Sequence, residues 1–171
     1  MERPSAAAAE LVAYLKDAGL TLVTAESCTS GLIAASLAEV ADCGEVLEGG
    51  FVVYSPEAKQ ILLGIPEHLL DEVNLTSEAM ARAMALGALE RSPASAALAD
   101  TGLAGPDAKD GIAPGTLCFA WAFRTPGEYV VFSRTERFPG EPSTVRRQAA
   151  DWAMSQLERF HRQAGLSEDR S

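Results

Sequence analysis

The spacing of hydrophobic positions along the chain predicts helices and strands in alternation. Apolar residues three and four positions apart mark a first helix, which Gly19 can end in a left-handed conformation. Short apolar runs at residues 21–24 and 51–54 predict two strands, and an apolar helix at 32–40 separates them. Helices and strands therefore alternate through the first half of the chain.

The second half of the chain adds a long helix, three strands and a final helix. The helix is rich in alanine and methionine and spans residues 77–91, and residues 96–99 form a third strand candidate. Strands at 117–124 and 129–136 are joined by a proline–glycine turn, which predicts a hairpin, and a helix at 143–160 follows. Alternation followed by a late hairpin predicts an α/β fold: a single-domain, three-layer α/β/α sandwich with a mixed central sheet.

Composition and charge narrow the possible functions. The length of 171 residues fits one domain, expected at residues 1–165 and followed by a disordered, charged tail at 166–171. The formal net charge of −10 argues against a nucleic-acid partner, because phosphates would be repelled. The chain start lacks the features of a secretory signal, and no apolar run is long enough to cross a bilayer. We expect a cytoplasmic protein with neither a nucleic-acid nor a membrane partner.

The three cysteines, Cys28, Cys43 and Cys118, are odd in number and show no short paired spacing. Neither a disulfide framework nor a zinc site is indicated by this pattern. We expect reduced and mostly buried thiols, and no metal or other cofactor.

The turn between the first strand and the second helix is the strongest candidate for a reaction centre. Its small and hydroxyl-bearing residues, 25–31, lead directly into the helix. A helix N-terminus presents unpaired N–H groups and a partial positive charge, which suit an anion or a developing oxyanion. Ser27 is placed to use that field. The alternative is that Ser27, Thr29 or Ser30 only caps the helix, because serine and threonine are preferred caps.

Two further junctions resemble the first in position. Residues 55–59 carry a hydroxyl cap, a proline and an acid, a helix-start signature that places Lys59 in a first helical turn. The third strand candidate leads into a glycine-rich turn at 101–107, whose backbone can approach a ligand closely. Ligands of open α/β sheets bind at strand ends, so the three junctions are expected to share one pocket.

The three junctions resemble the signature blocks of the CinA C-terminal domain family. The matching segments are AESCT at 25–29, YSPEAK at 54–59 and TGLAGP at 101–106. The family includes stand-alone nicotinamide mononucleotide deamidases, and longer members carry an amino-terminal molybdopterin-binding-like domain that is expected to be absent here. Relatives form dimers, so the resemblance also implies a homodimer.

The resemblance implies a metal-independent amide hydrolase that releases ammonia from nicotinamide mononucleotide. Ser27 would attack the amide carbon, Lys59 would act as base, and Tyr54 would lie between them to orient or relay the proton. Backbone N–H groups around Thr29 to Gly31 would hold the oxyanion, and water would cut the acyl-enzyme. The full set of implied substrate contacts is Glu26, Thr29, Ser30, Gly31, Thr101, Gly102, Ala104 and Gly105.

The residues themselves allow lysine as a base. Burial and the positive end of a helix both disfavour a charged ammonium, so they would lower the pKa of Lys59 from its ordinary value. The two histidines, His68 and His161, have no acidic partner at a suggestive spacing. Other readings stay open: Cys28 could be the nucleophile, and Lys59 and Tyr54 could be a surface lysine and a packed core tyrosine.

The chain also departs from the family at several loops. Relatives usually have glycine where this chain has Ser30, a glycine-rich stretch at 107–110, lysine at Ala113 and an aspartate–arginine pair at 141–142. Losing cationic or glycine contacts weakens phosphate binding, and Lys109 could replace the missing lysine. A catalytically altered module that binds a nucleotide or a protein therefore remains the second reading.

Overall fold

A five-stranded mixed sheet forms the centre of the protein in the computed structural model, which describes residues 3–166. The strands are β1 (Leu22–Glu26), β2 (Leu47–Val52), β3 (Ala96–Leu103), β4 (Thr116–Thr125) and β5 (Glu128–Arg137). Their order in the sheet is β2-β1-β3-β4-β5. β1 is parallel to both β2 and β3, whereas β4 and β5 continue the sheet antiparallel.

Helices cover both faces of this sheet. They are α1 (Ala6–Ala18), α2 (Leu32–Ala38), α3 (Pro56–Leu63), α4 (Glu67–Glu72), α5 (Glu78–Glu90) and α6 (Pro142–Gln163), with a 3-10 turn at Cys43–Glu45. One buried cluster joins α1, α2 and α6 to one face, and a second joins α3, α4 and α5 to the other. The predicted α/β fold with a mixed sheet and a single domain is confirmed.

The two core layers differ in the size of their side chains. On the α6 side, Phe119 and Trp121 of β4 stack and meet Trp152 and Phe160 of α6. On the opposite side the sheet presents small residues to α5, chiefly the alanines Ala97, Ala99, Ala120 and Ala122. Small residues let α5 approach the sheet closely, since packed elements are separated by their side chains.

Most predicted elements are present, and the differences lie at their ends. The second strand is Leu47–Val52 rather than 51–54, because Gly49 and Gly50 pair with β1 despite their low strand preference. β3 extends to Leu103, so part of the predicted glycine turn is strand. The hairpin is confirmed, with Gly127 at φ 83.

Two smaller differences complete the comparison. A short helix, α4, follows Pro66, in a segment between residues 59 and 77 for which no helix is predicted. α6 begins at Pro142, one residue earlier than predicted. The predicted disordered tail lies outside the described residues except for Leu166. Within residues 3–166, no helix is both long and apolar enough to span a membrane.

The sheet order places the three predicted junctions at one edge. β1 lies between β2 and β3, so the chain leaves β1 to one side and later returns on the other. Because all three strands are parallel, their carboxyl ends lie at the same edge of the sheet. Such a reversal of strand order opens a crevice where ligands of α/β proteins bind.

Candidate active site

A serine and a buried lysine are in direct contact at this edge. Ser27 follows β1 and Lys59 lies in the first turn of α3, and their Oγ and Nζ atoms are 3.1 Å apart. Lys59 is only 1% exposed and Ser27 is 8% exposed. Lysine is rarely buried to this degree unless its amine has a specific use, so the pair is a candidate reaction centre.

The local sequence fixes the position of the lysine. Ser55 caps α3 by accepting a hydrogen bond from the Ala58 amide at 3.0 Å, and Pro56 occupies the first helical position. From this first turn the amine donates to the carbonyl oxygens of Val53 at 2.9 Å and Tyr54 at 3.4 Å.

Burial lowers the pKa of the Lys59 amine, and the charge of nearby Asp100 partly opposes this effect. A neutral amine has two hydrogens and one lone pair. If the two hydrogens are donated to the carbonyls of Val53 and Tyr54, the lone pair is left for the hydroxyl hydrogen of Ser27. The same three contacts accommodate an ammonium that donates to all three oxygens and a neutral amine that accepts the hydroxyl hydrogen of Ser27.

Tyr54 is close to the pair but does not lie between its members. Its residue surface is 63% exposed, and its carbonyl rather than its hydroxyl accepts the hydrogen bond from Lys59. Because Ser27 and Lys59 touch directly, the predicted bridging position is not observed. Tyr54 instead lines the cavity beside the pair.

Glu26 holds the first turn of α2 in place next to the site. It is fully buried, and its carboxylate accepts from the Ile33 and Ala34 amides at 2.8 and 3.0 Å, which are donors in the first turn of α2. It also accepts from the hydroxyls of Thr24 and Thr29 at 3.1 and 2.7 Å. Both oxygens therefore accept hydrogen bonds within the protein, and Glu26 caps α2.

The amides predicted to form the oxyanion hole are also occupied. The Thr29 amide donates to Oδ1 of Asp100 at 3.0 Å, and the Ser30 amide donates to the Ser27 carbonyl at 3.2 Å. Thr29, Ser30 and Gly31 line a neighbouring cavity of about 360 Å³ instead of the one that contains Ser27. The predicted oxyanion hole is therefore not formed by Thr29 and Ser30.

Ser27 and Lys59 open into a cavity of about 260 Å³. The predicted turn after β3 forms one wall, through Thr101, Gly102, Ala104 and Gly105. A side chain at Gly102 would place its Cβ 2.5 Å from Leu117, so glycine is required for β3 to lie against β4 here. Sequence reasoning missed further polar lining residues, which are Asn74, Thr76, Asp110 and Arg146.

Arg146 is the most informative of these missed residues. It lies on α6, and its Nε donates to the carbonyl of Cys28 at 3.1 Å. It lines both the cavity of Ser27 and the neighbouring one. Lys109 also lines the first cavity, so two cations lie near the serine in a protein whose formal net charge is −10. The only sequence signal was the pair of basic residues Arg146 and Arg147.

The rival candidates are placed differently. Cys28 is buried, and burial, followed by the charge of Asp100, raises the pKa of its thiol to about 12. A thiol in this state is a poor nucleophile at neutral pH.

His161 lies on α6, where its Nδ1 is 2.7 Å from the Tyr14 hydroxyl. Within residues 3–166, no group of three or more His, Cys, Asp or Glu side chains is arranged to hold a metal ion.

The departures from the family lie at loops around these cavities. Ser30 has φ 54, a left-handed conformation that glycine adopts more readily, which accounts for the usual glycine. Asp110 has φ 50 and lines the Ser27 cavity beside Lys109. Glu141 and Pro142 form the N-cap and first residue of α6, five and four residues before Arg146 respectively.

Fold and site together define an α/β sandwich protein with a buried serine–lysine pair at a strand-order reversal. The chain matches the CinA C-terminal domain over residues 5–161. It therefore belongs to the CinA C-terminal domain family.

Named relatives agree with this assignment. A putative competence-damage inducible protein of Symbiobacterium thermophilum is 43% identical over 152 residues, which is 85% of this chain and 36% of the relative. A CinA-like protein of Chlorobium luteolum is 49% identical over 118 residues, covering 68% of this chain and 27% of the relative. The chain thus spans about a third of the length of these relatives.

Solved structures of the superfamily share the fold. A CinA superfamily protein of Klebsiella pneumoniae superimposes with a TM-score of 0.86 at 34% identity, covering 92% of this chain and 96% of that one. A CinA superfamily protein of Escherichia coli gives 0.83 at 34% identity, covering 90% and 88%.

Proposed function

We propose that this protein is an amidohydrolase that converts nicotinamide mononucleotide to nicotinic acid mononucleotide and ammonia. The observation that carries the proposal is the 3.1 Å contact between the Ser27 hydroxyl and a lysine amine that is 1% exposed. An unassisted hydroxyl is a weak nucleophile, and a buried neutral amine is a base able to activate it.

The reaction follows from this pair. Lys59 takes the hydroxyl proton as Ser27 Oγ forms a bond to the carboxamide carbon, giving a tetrahedral oxyanion. The resulting ammonium returns the proton to the amide nitrogen, the carbon–nitrogen bond breaks, and ammonia leaves. Lys59 then deprotonates a water molecule that attacks the acyl ester, which releases the carboxylic acid and regenerates Ser27.

The rest of the cavity suits a phosphorylated substrate. Arg146 and Lys109 supply positive charge, and a charge-assisted bond to phosphate contributes about 1.5 to 3 kcal/mol. Thr101 and Gly102 line the wall formed by the turn after β3, and they would contact the ribose. Tyr54 lines the cavity and is 63% exposed, and its ring would stack on the pyridine ring.

A second candidate is a catalytically altered module that binds a nucleotide or a protein partner. The altered loops favour it, because Ser30 is held at φ 54 where relatives use glycine, and Thr29 to Gly31 face a separate cavity. Binding of the mononucleotide without release of ammonia would support this candidate.

The three lysines of the chain provide a matched test. Purified protein is incubated with nicotinamide mononucleotide and ammonia is measured. Lys59→Met and Ser27→Ala are each expected to lower kcat at least about 10³-fold, since each removes a member of the reacting pair. Lys109→Met should raise KM about tenfold with little change in kcat. Lys16, which pairs with Asp42 and Glu45 away from the cavity, is the neutral control as Lys16→Met.

The pH dependence adds a second readout. The reactive form contains neutral Lys59, so kcat/KM should rise with pH through the pKa of this amine, which burial places below its ordinary value. Absence of ammonia at high protein concentration across this range would remove the hydrolase proposal.

A further inference from the structure

Two buried carboxyl groups share a single threonine hydroxyl beneath the reacting pair. Glu26 and Asp100 are both fully buried; Glu26 is the last residue of β1, and Asp100 is its register partner within β3. Thr29 Oγ1 lies 2.7 Å from Oε1 of Glu26 and also contacts Oδ2 of Asp100. We infer that Asp100 is a positioning residue held as a neutral, protonated acid, and that this neutrality keeps Lys59 available as a free base. The catalytic half of this inference rests on the proposed function.

Counting hydrogens requires one extra proton in the cluster. A hydroxyl has one hydrogen, so Thr29 can donate to only one of the two carboxyl groups. Its other contact must be a bond that it accepts, because two oxygens without a hydrogen between them repel. One of the two acids therefore donates an O–H to Thr29.

The remaining contacts identify Asp100 as that acid. Glu26 accepts from the amides of Ile33 and Ala34, in the first turn of α2, where the helix dipole favours a negative charge. Asp100 receives the Thr29 amide on Oδ1, which leaves Oδ2 facing the hydroxyl. The chain of donors therefore runs from Asp100 to Thr29 and from Thr29 to ionised Glu26.

Electrostatics agrees with this assignment. Burial, and next the charge of Glu26, raises the pKa of Asp100 to about 7; hydrogen bonds with the Thr29 hydroxyl and with the Thr29 and Cys28 amides act in the opposite direction but are smaller effects. An ionised Asp100 would raise the pKa of Lys59, so a neutral one lets burial keep the amine unprotonated.

The surroundings of Asp100 contain few other titratable groups. Glu26 on β1, Cys28 in the following turn and Lys59 on α3 act on it or respond to its charge. On its other side β4 places the apolar Phe119 in register, and α6 brings Arg146 to Cys28.

Two isosteric substitutions give opposite expectations. In Asp100→Asn the amide N–H replaces the acid O–H as donor to Thr29, and its carbonyl still accepts from the Thr29 amide. This variant should fold with a Tm at or above that of the wild type at pH 7. In Glu26→Gln the amide N–H would face groups that already donate, so its Tm should fall well below the wild type. Equal losses of Tm in both variants would overturn the inference.

The pH dependence of stability tests the proton directly. Folded Asp100 keeps its proton up to about pH 7, whereas the unfolded chain loses it near 3.8. This group therefore makes stability fall as pH rises between those values, and the fall should be missing in Asp100→Asn. The carboxyl carbon of Asp100, followed by NMR in the wild type, should titrate near 7. Titration below 5 would overturn the inference even if neither variant folds.

The catalytic consequence has its own readout. If Asp100 is neutral below about pH 7, Asp100→Asn should leave the part of the acidic limb of kcat/KM that falls below this pH where it is in the wild type. A shift of that limb to lower pH by a unit or more would show that the wild-type residue is charged. The NMR and unfolding measurements need no substrate, so they test the protonation of Asp100 independently of the amidase proposal.

Discussion

Cys28 and Ser27 are adjacent in the chain, yet their environments give them different chemistry. Ser27 meets the Lys59 amine at 3.1 Å, whereas the thiol of Cys28 is buried beside Asp100 with its pKa raised to about 12. A helix N-terminus would ordinarily lower the pKa of a thiol, but burial is the larger effect here. Of these two neighbours, Ser27 is the one in contact with an amine that could act as a base, so Ser27 is the proposed nucleophile.

This contrast predicts how Cys28 responds to substitution and to alkylation. Cys28→Ala should keep most of the ammonia-releasing activity, because the thiol takes no part in the reaction. Native protein treated with iodoacetamide at pH 8 should not be modified at Cys28, as measured by peptide mass spectrometry. The half-buried Cys43 serves as the internal control for labelling. Loss of activity on alkylation of Cys28 would contradict this assignment.

The sequence predicted some site residues better than others, for a physical reason. Ser27 and Lys59 stand at strand–helix junctions, and such junctions have local signatures in hydroxyl caps and proline. Arg146 contacts Cys28 across 118 positions of sequence, so no local pattern indicates it. The placement of Tyr54 depended on where β2 ends, and the strand ends at Val52 rather than at residue 54.

At the scale of elements, the position of the base depends on how closely α3 approaches α5. Gly87 of α5 lies against Leu63 of α3, and a Cβ there would be 2.4 Å from the Leu63 carbonyl oxygen. Leu63 is one turn beyond Lys59 on the same helix. A shift of α3 away from α5 would therefore move the amine relative to Ser27.

Gly87→Ala tests this coupling. Helix preference alone would make alanine stabilising by about 1 kcal/mol. The steric conflict should reverse the sign and lower the free energy of unfolding by about 1–3 kcal/mol, with a fall in kcat. Urea unfolding and ammonia release measure the two effects. Gly44→Ala is the control, since a Cβ at Gly44 has nothing within 4 Å. Unchanged stability and activity in both variants would show that α3 adjusts freely.

For the whole molecule, local patterns predicted the layers but not the strand order. Alternating elements and a late hairpin indicate a layered mixed sheet, because each pattern fits one kind of connection. That β1 lies between β2 and β3 depends on contacts between distant segments. This order brings the three junctions to one edge of the sheet. The sequence predicted that the junctions share a pocket only because ligands of α/β proteins generally bind at strand ends.

The expected homodimer belongs to this scale. β2 is an edge strand, and the residues exposed on it and on α3 include Val52, Ile61 and Leu62, at 50%, 75% and 45%. We propose that a second copy covers these apolar groups. Ile61→Glu should shift the protein from dimer to monomer in light scattering coupled to gel filtration. Gln60→Glu adds the same charge at the adjacent exposed position and should remain dimeric. A monomeric wild type at assay concentration would refute the proposal.

The free amine proposed for Lys59 has a consequence for inhibition. A free amine condenses with aldehydes, whereas an ammonium does not. A pyridine carboxaldehyde in this cavity would meet two nucleophiles, forming a hemiacetal with Ser27 or losing water to give an imine with Lys59. Hydrolases whose base is histidine offer only the first of these outcomes, so reductive trapping of the imine would distinguish the proposed serine–lysine hydrolase within a mixture of serine hydrolases.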